Sequence, residues 1–242
     1  MGIIKIFQRI QSEQPRLPVW KAVVRIYARL ALLLISAVST AGEIQELSVS
    51  ATHGEYNVRL VAILDAPEQH VYDVITDYAN AYRINPGITS VDILPSGKDG
   101  VVRVQHRSNH RLGPFSLEVD WAGDIVETGD GHIHITTVPE FSSFHSGFAR
   151  WEIQAQGNRT HVLHESSLRP AFDIFPIIGT YIVKKHIKEE TLTTFSRIER
   201  YAQITLARES GGRPEQLEAL LQQLEGSIDS LVYEEILTAR TH

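Results

Sequence analysis

Histidine is the residue type best suited to chemistry in this chain, which carries eleven of them. The ring gains or loses a proton near neutral pH, and its neutral form ligates metals. His132 and His134 stand two apart in a strand-like segment and so share one side. Two imidazoles do not fix a metal, and no third ligand lies near them in sequence, so the pair reads as an exposed hairpin feature. His106 and His110 share a side with Val102 and Val104, while His164 alternates with Val162 and Leu168. If those are inward faces, His106 and His164 are polar islands in an apolar interior. They are then either satisfied structural histidines or groups that orient the polar head of a ligand.

Other chemistries find less support. The chain has no cysteine, which removes disulfides, thiolate nucleophiles and zinc–thiolate sites. Ser146-Gly147 lacks the preceding glycine of a G-x-S-x-G elbow. Asp73 and Asp77 lie one helical turn apart, the arrangement of a solvated face more than of an acid/base pair. There is no glycine-rich phosphate loop, and Asn158-Arg159-Thr160 matches a glycosylation sequon, a pattern that recurs by chance. An enzymatic reading would use His106, His164, Glu165 or Arg150 as acid/base groups. Nothing polar clusters enough to assign a catalytic residue, and neither a metal nor a cofactor is expected.

The elements that must position these residues follow an α+β order. Tyr56–Leu64 reads as a first strand, and Asp65-Ala66-Pro67 opens a helix with Asp65 as its N-cap. A shorter helical piece follows and stops at Asn85-Pro86-Gly87. From Ile88 onward, turn signals separate about six strands, with Asp130-Gly131 marking a hairpin. Within PFSLEVDWAGDI, Phe115, Leu117, Val119, Trp121 and Ile125 share a dry face, and Ser116, Glu118, Asp120 and Asp124 a wet one. The dry face needs a cover. A helix from about Ile177 to Leu206, striped by Ile178, Tyr181, Ile182, Leu192, Phe195, Ile198 and Ala202, can supply it. Lys184, Lys185, Lys188, Glu189 and Glu190 interrupt that stripe. A helix that crosses a cavity mouth tolerates such a gap; so does one whose lysines snorkel around a rim.

The ends of the chain differ from its middle. Residues 1–41 hold six basic residues against Glu13, then the apolar run Leu30–Val38, then Ser39-Thr40-Ala41-Gly42. That order is an export signal with cleavage after Ala41, because a nine-residue run is shorter than the roughly 20 residues a bilayer span requires. Val19 would be the more usual start of such a peptide, leaving Met1–Pro18 as an extension. Without the signal, 17 basic residues face 28 acidic ones, a formal charge of about −11. Such a surface repels nucleic acid and anionic lipid. Residues 209–213 read as a linker, and 214–242 as an amphipathic helix striped by Leu217, Leu220, Leu221, Leu224, Ile228, Leu231 and Val232. The stripe is expected to pack on its own domain or form a homodimer, with a protein partner as the other destination.

Residues 42–208 form the central domain, and from about Val49 to Arg208 it resembles the START-like (SRPBCC) superfamily. The branch is that of polyketide cyclase/dehydrase and coenzyme Q-binding proteins. The resemblance is carried by DAPEQHVYDVITDYANAYRINPG, by Phe148-Ala149-Arg150-Trp151, and by Thr160-His161-Val162 leading to Arg169-Pro170 and Phe175-Pro176. It implies a helix-grip fold: a curved antiparallel sheet wrapped around a long C-terminal helix, enclosing a deep apolar cavity. The elbow from Tyr78 to Gly87 would then belong to the cavity's lid. Leu117, Val119, Trp121, Trp151, Ile153, Val162, Tyr181, Leu192 and Phe195 are the expected lining, with His106 and His164 as its polar points. The expected ligand is a lipid, quinone or isoprenoid-like molecule, carried in the periplasm or outside the cell; a cyclase/dehydratase-type enzyme is the alternative.

Overall fold

The computed structural model describes residues 42–112, 115–173, 178–213, 215 and 219–222. The expected export signal and most of the C-terminal amphipathic stripe lie outside them. Of that last helix, residues 215 and 219–222 are described and are helical. No helix of the described residues is long and apolar enough to cross a membrane.

Among the described residues, eight antiparallel strands form one sheet: β1 (Glu43–Thr52), β2 (Glu55–Leu64), β3 (Ile88–Leu94), β4 (Val102–Leu112), β5 (Phe115–Glu127), β6 (His132–Thr137), β7 (Phe144–Gln156) and β8 (Arg159–Pro170). Their spatial order is β1-β2-β8-β7-β6-β5-β4-β3. Between β2 and β3 lie the helix α1 (Glu68–Thr76) and a 3-10 elbow, Tyr78–Arg83. The long helix α2 runs from Ile178 to Glu209. It ends where Gly211 takes φ +69° and Gly212 N–H returns to the Ala207 carbonyl at 2.7 Å, a glycine stop that a side chain would strain. This is the helix-grip arrangement.

The sequence reading gave seven strands and missed β1. That segment, EIQELSVSAT, is almost wholly exposed at the sheet edge. Its charged and small residues follow from that position, because an edge strand with one open side needs no continuous dry face. The expected Asp65 cap is also not formed. Pro67 precedes α1 without any side-chain cap. Instead the Asp65 backbone serves α2: its N–H donates to Glu199 Oε1 at 2.7 Å, and its carbonyl accepts from Gln203 Nε2 at 2.9 Å.

Strand alternation divides the sheet into two faces. Leu60, Ala62, Val104, Ile125, Ile133, Ile153 and Val162 point inward against Val71 and Ile75 of α1 and Phe195, Ile198 and Ala202 of α2. The outer face is charged and cross-strand paired. Arg103 grips Asp124 through two bonds of 2.6 and 2.9 Å, and Arg107 reaches Asp120 at 2.9 Å. Each pair follows from the β4–β5 register, which sets the partners directly opposite.

Candidate functional site

The inner face carries two pairs of indole and imidazole rings. On β7 and β8, register sets Trp151 opposite His164, and their ring centroids are 4.2 Å apart. Phe195 of α2 stacks on Trp151 at 5.4 Å with an interplanar angle of 18°. On β4 and β5, His106 lies opposite Trp121 with centroids 4.6 Å apart. Trp121 donates from Nε1 to Thr137 Oγ1 at 3.3 Å. Gly123 makes room for it, since a Cβ there would come within 2.3 Å of the indole.

Nδ1 of His106 and Nδ1 of His164 are buried without a protein hydrogen-bond partner. Burial depresses both imidazoles to a pKa of about 4, with nearby His110 adding to the effect on His106. They are therefore neutral at pH 7, each set against an indole.

The remaining predicted residues divide. Val119, Ile153, Val162 and Phe195 are buried on the inner side; Leu117 and Leu192 are half-buried. Tyr181 departs from the expected lining: it is 72% exposed. It shares a helix side with solvent-facing Lys185, four residues on. Glu165 and Arg150 are also corrected. They pair with each other at 2.7 Å on the outer face, where Arg59 joins Glu165. Adjacent strand residues point to opposite sides, so Glu165 cannot share a site with His164. His132 and His134 lie on the outer side of β6, with His132 beside Asp130 at 3.1 Å.

Sequence reasoning missed a polar cluster between β4, α2 and the segment that follows the elbow. His110 Nδ1 is 3.0 Å from His186 Nε2. Glu190 Oε2 lies 3.5 Å from each of those nitrogens. Ser108 Oγ contacts His110 Nε2 at 2.8 Å, and Asn85 Nδ2 donates to Glu190 Oε1 at 2.6 Å. The interrupted stripe of α2 was the available signal. His186 and Glu190, four apart, turn inward at the gap, while Lys185 and Glu189 pair at 3.6 Å on the outside.

The end of α1 and the elbow are pinned at several points. Tyr72 and Tyr78 both donate to the Glu127 carboxylate, the latter at 2.9 Å. Burial and that carboxylate push both phenols up, Tyr72 to about 12. At the elbow's far end, Arg197 of α2 donates to the Arg83 carbonyl at 2.9 Å.

A family model described as polyketide cyclase / dehydrase and lipid transport matches residues 64–184, half of the chain. The fold is similar to that of the Zhui aromatase/cyclase from a Streptomyces species, at 14% identity and a TM-score of 0.55, covering 66% of this chain and 99% of that one. It is also similar to a Thermus thermophilus protein of known structure, at 15% identity and a TM-score of 0.53, covering 62% of this chain and 98% of that one. At such identities the likeness is one of fold. No curated protein is similar enough in sequence to count as a relative. The matched segment runs from the end of β2 into α2 and contains both ring pairs, and on that match the chain belongs to the polyketide cyclase / dehydrase and lipid transport family.

Proposed function

We propose that the protein binds a largely apolar small molecule, of lipid, quinone or isoprenoid type, against the inner face of the sheet. The observation that carries this reading is the pair of buried, unpartnered nitrogens, Nδ1 of His106 and Nδ1 of His164, each beside an indole. A buried polar atom without a partner costs on the order of 1–3 kcal/mol. A ligand hydroxyl or carbonyl, with water as intermediary where needed, offsets that cost, while apolar ligand surface covers Trp121 and Trp151. Lipid transport within the family's description supports a carrier role. We place the binding outside the cytoplasm because residues 1–41 have the order of an export signal.

A cyclase-type reaction is the second reading. It is favoured by the two neutral imidazoles, which can accept a proton in an apolar setting. It loses Glu165 and Arg150 as participants, since both face away.

The test is organic extraction of purified protein followed by mass spectrometry. A stoichiometric apolar compound, recovered unchanged after incubation with the protein, supports the carrier. Recovery of a cyclised or dehydrated product supports the enzyme. An extract without any bound apolar compound, together with no uptake of an apolar fluorophore, overturns both.

A further inference from the structure

We propose that His110, His186 and Glu190 form a binding site for one divalent transition-metal ion of the zinc class. The inference goes beyond the apolar-ligand reading and does not depend on it.

The geometry carries it. His110 Nδ1, His186 Nε2 and Glu190 Oε2 form a triangle with sides of 3.0, 3.5 and 3.5 Å. The point equidistant from those corners lies about 1.9 Å from each. An ion raised about 0.7 Å out of the plane sits roughly 2.05 Å from all three, the length of zinc–imidazole and zinc–carboxylate bonds. Adjacent corners of a tetrahedron with such bonds are separated by about 3.3 Å, so the three atoms already occupy three corners of a zinc polyhedron. Both helical ligands come from one face of α2, four residues apart, and the third from β4, which α2 contacts.

The outer atoms of two of the three ligands, His110 and Glu190, are held by neighbours. His110 Nε2 lies 2.8 Å from Ser108 Oγ, whose own hydroxyl is directed to the Val119 carbonyl at 3.4 Å. With its hydroxyl turned to that carbonyl, Ser108 accepts from the ring; the tautomer that binds an ion is the one with the proton on Nε2 and the Nδ1 lone pair toward the triangle. Asn85 engages Glu190 Oε1 at 2.6 Å and leaves Oε2 turned to the imidazoles. Partners of this kind fix ligand tautomer and orientation. The donor set of two imidazoles and one carboxylate suits zinc-class ions over magnesium or calcium, which take oxygen ligands. Three protein ligands leave a fourth position to water or to a bound molecule. The site shares the inner side of β4 with His106, so an ion here stands on the face assigned to the apolar ligand. Asn85, from the segment that follows the elbow, makes this end of the elbow responsive to the ion.

The experiment uses the purified chain without a histidine tag, stripped with chelator and titrated with Zn²⁺ against a chromophoric competitor. Parallel Co²⁺ titration gives the visible spectrum of the bound ion. The expected result is one equivalent of Zn²⁺ per folded chain, held at micromolar Kd or tighter and undisturbed by excess Mg²⁺, with the intense visible bands of four-coordinate cobalt. His186→Ala and Glu190→Gln should each weaken binding at least 100-fold, and Asn85→Ala 10–100-fold. His132→Ala/His134→Ala should leave it unchanged. Circular dichroism confirms that each variant is folded, and the wild-type titration stands whether or not a variant folds. Absence of stoichiometric Zn²⁺ binding by the wild type overturns the proposal, leaving a hydrogen-bonded His–His–Glu cluster in its place. So does binding that survives His186→Ala or is lost in the His132/His134 variant. Because the readout is the ion alone, failure to bind an apolar molecule and failure to bind the ion are separate outcomes.

Discussion

Trp151 on β7 and His164 on β8 face each other across the sheet with ring centroids 4.2 Å apart, and α2 closes over them through Phe195. One strand pair and one helix thus meet at a single aromatic stack. The same stack is part of the core and part of the ligand surface proposed above.

Trp151→Ala should therefore act on both. Trp151 is half-buried against the core, so its loss should cost up to about 3–5 kcal/mol of stability, read as a lower urea midpoint. Apolar-fluorophore affinity should also fall when measured well below the unfolding transition. Unchanged affinity in the folded variant would make Trp151 a packing residue only.

His106 and His164 predict an acid-labile fold. Their folded pKa values, about 4, lie below the free value of about 6.5, so the unfolded chain takes up protons first as pH falls. Stability is unaffected above about pH 6.5 and declines between pH 6.5 and 4, by about 3 kcal/mol for each ring. Denaturant midpoints across that range should fall steeply in the wild type and about half as steeply in His164→Gln.

Glu199 is buried, yet its carboxylate accepts the Asp65 N–H at 2.7 Å; burial pushes its pKa up. Glu199→Gln keeps an acceptor and removes the desolvated charge, so stability at pH 7 should hold or rise. Glu199→Ala strands the Asp65 N–H and should cost about 1–3 kcal/mol. Equal midpoints for the two variants would refute this role.

The outer pair Arg150–Glu165 gives a negative control. Glu165→Gln should leave ligand affinity, and any cyclase turnover, within about twofold of wild type, with a stability change of at most about 1 kcal/mol for so accessible a pair. A large loss of turnover would return Glu165 to the chemistry.

Much of this fold was legible along the chain because strand side chains alternate. The dry row of β5, the turns at Gly129-Asp130-Gly131 and Gly157-Asn158, and the stripe of α2 are local signals, and the strands, hairpins and helix formed where those signals lay. The placement of His106 and His164 on the inner side came from the same periodicity. β1 was not legible, because an exposed edge strand has little dry face to display. Asp65 misled because a cap signal is local, whereas its backbone is claimed by Glu199, 134 residues away. Tyr181 belonged to the helix stripe by type, but only packing decided which side of α2 met the sheet. The His110–His186–Glu190 triangle lay further still from sequence. Its members span 80 positions and carry no shared motif; they meet because β4 and α2 come into contact, a fact of tertiary geometry that no local pattern encodes.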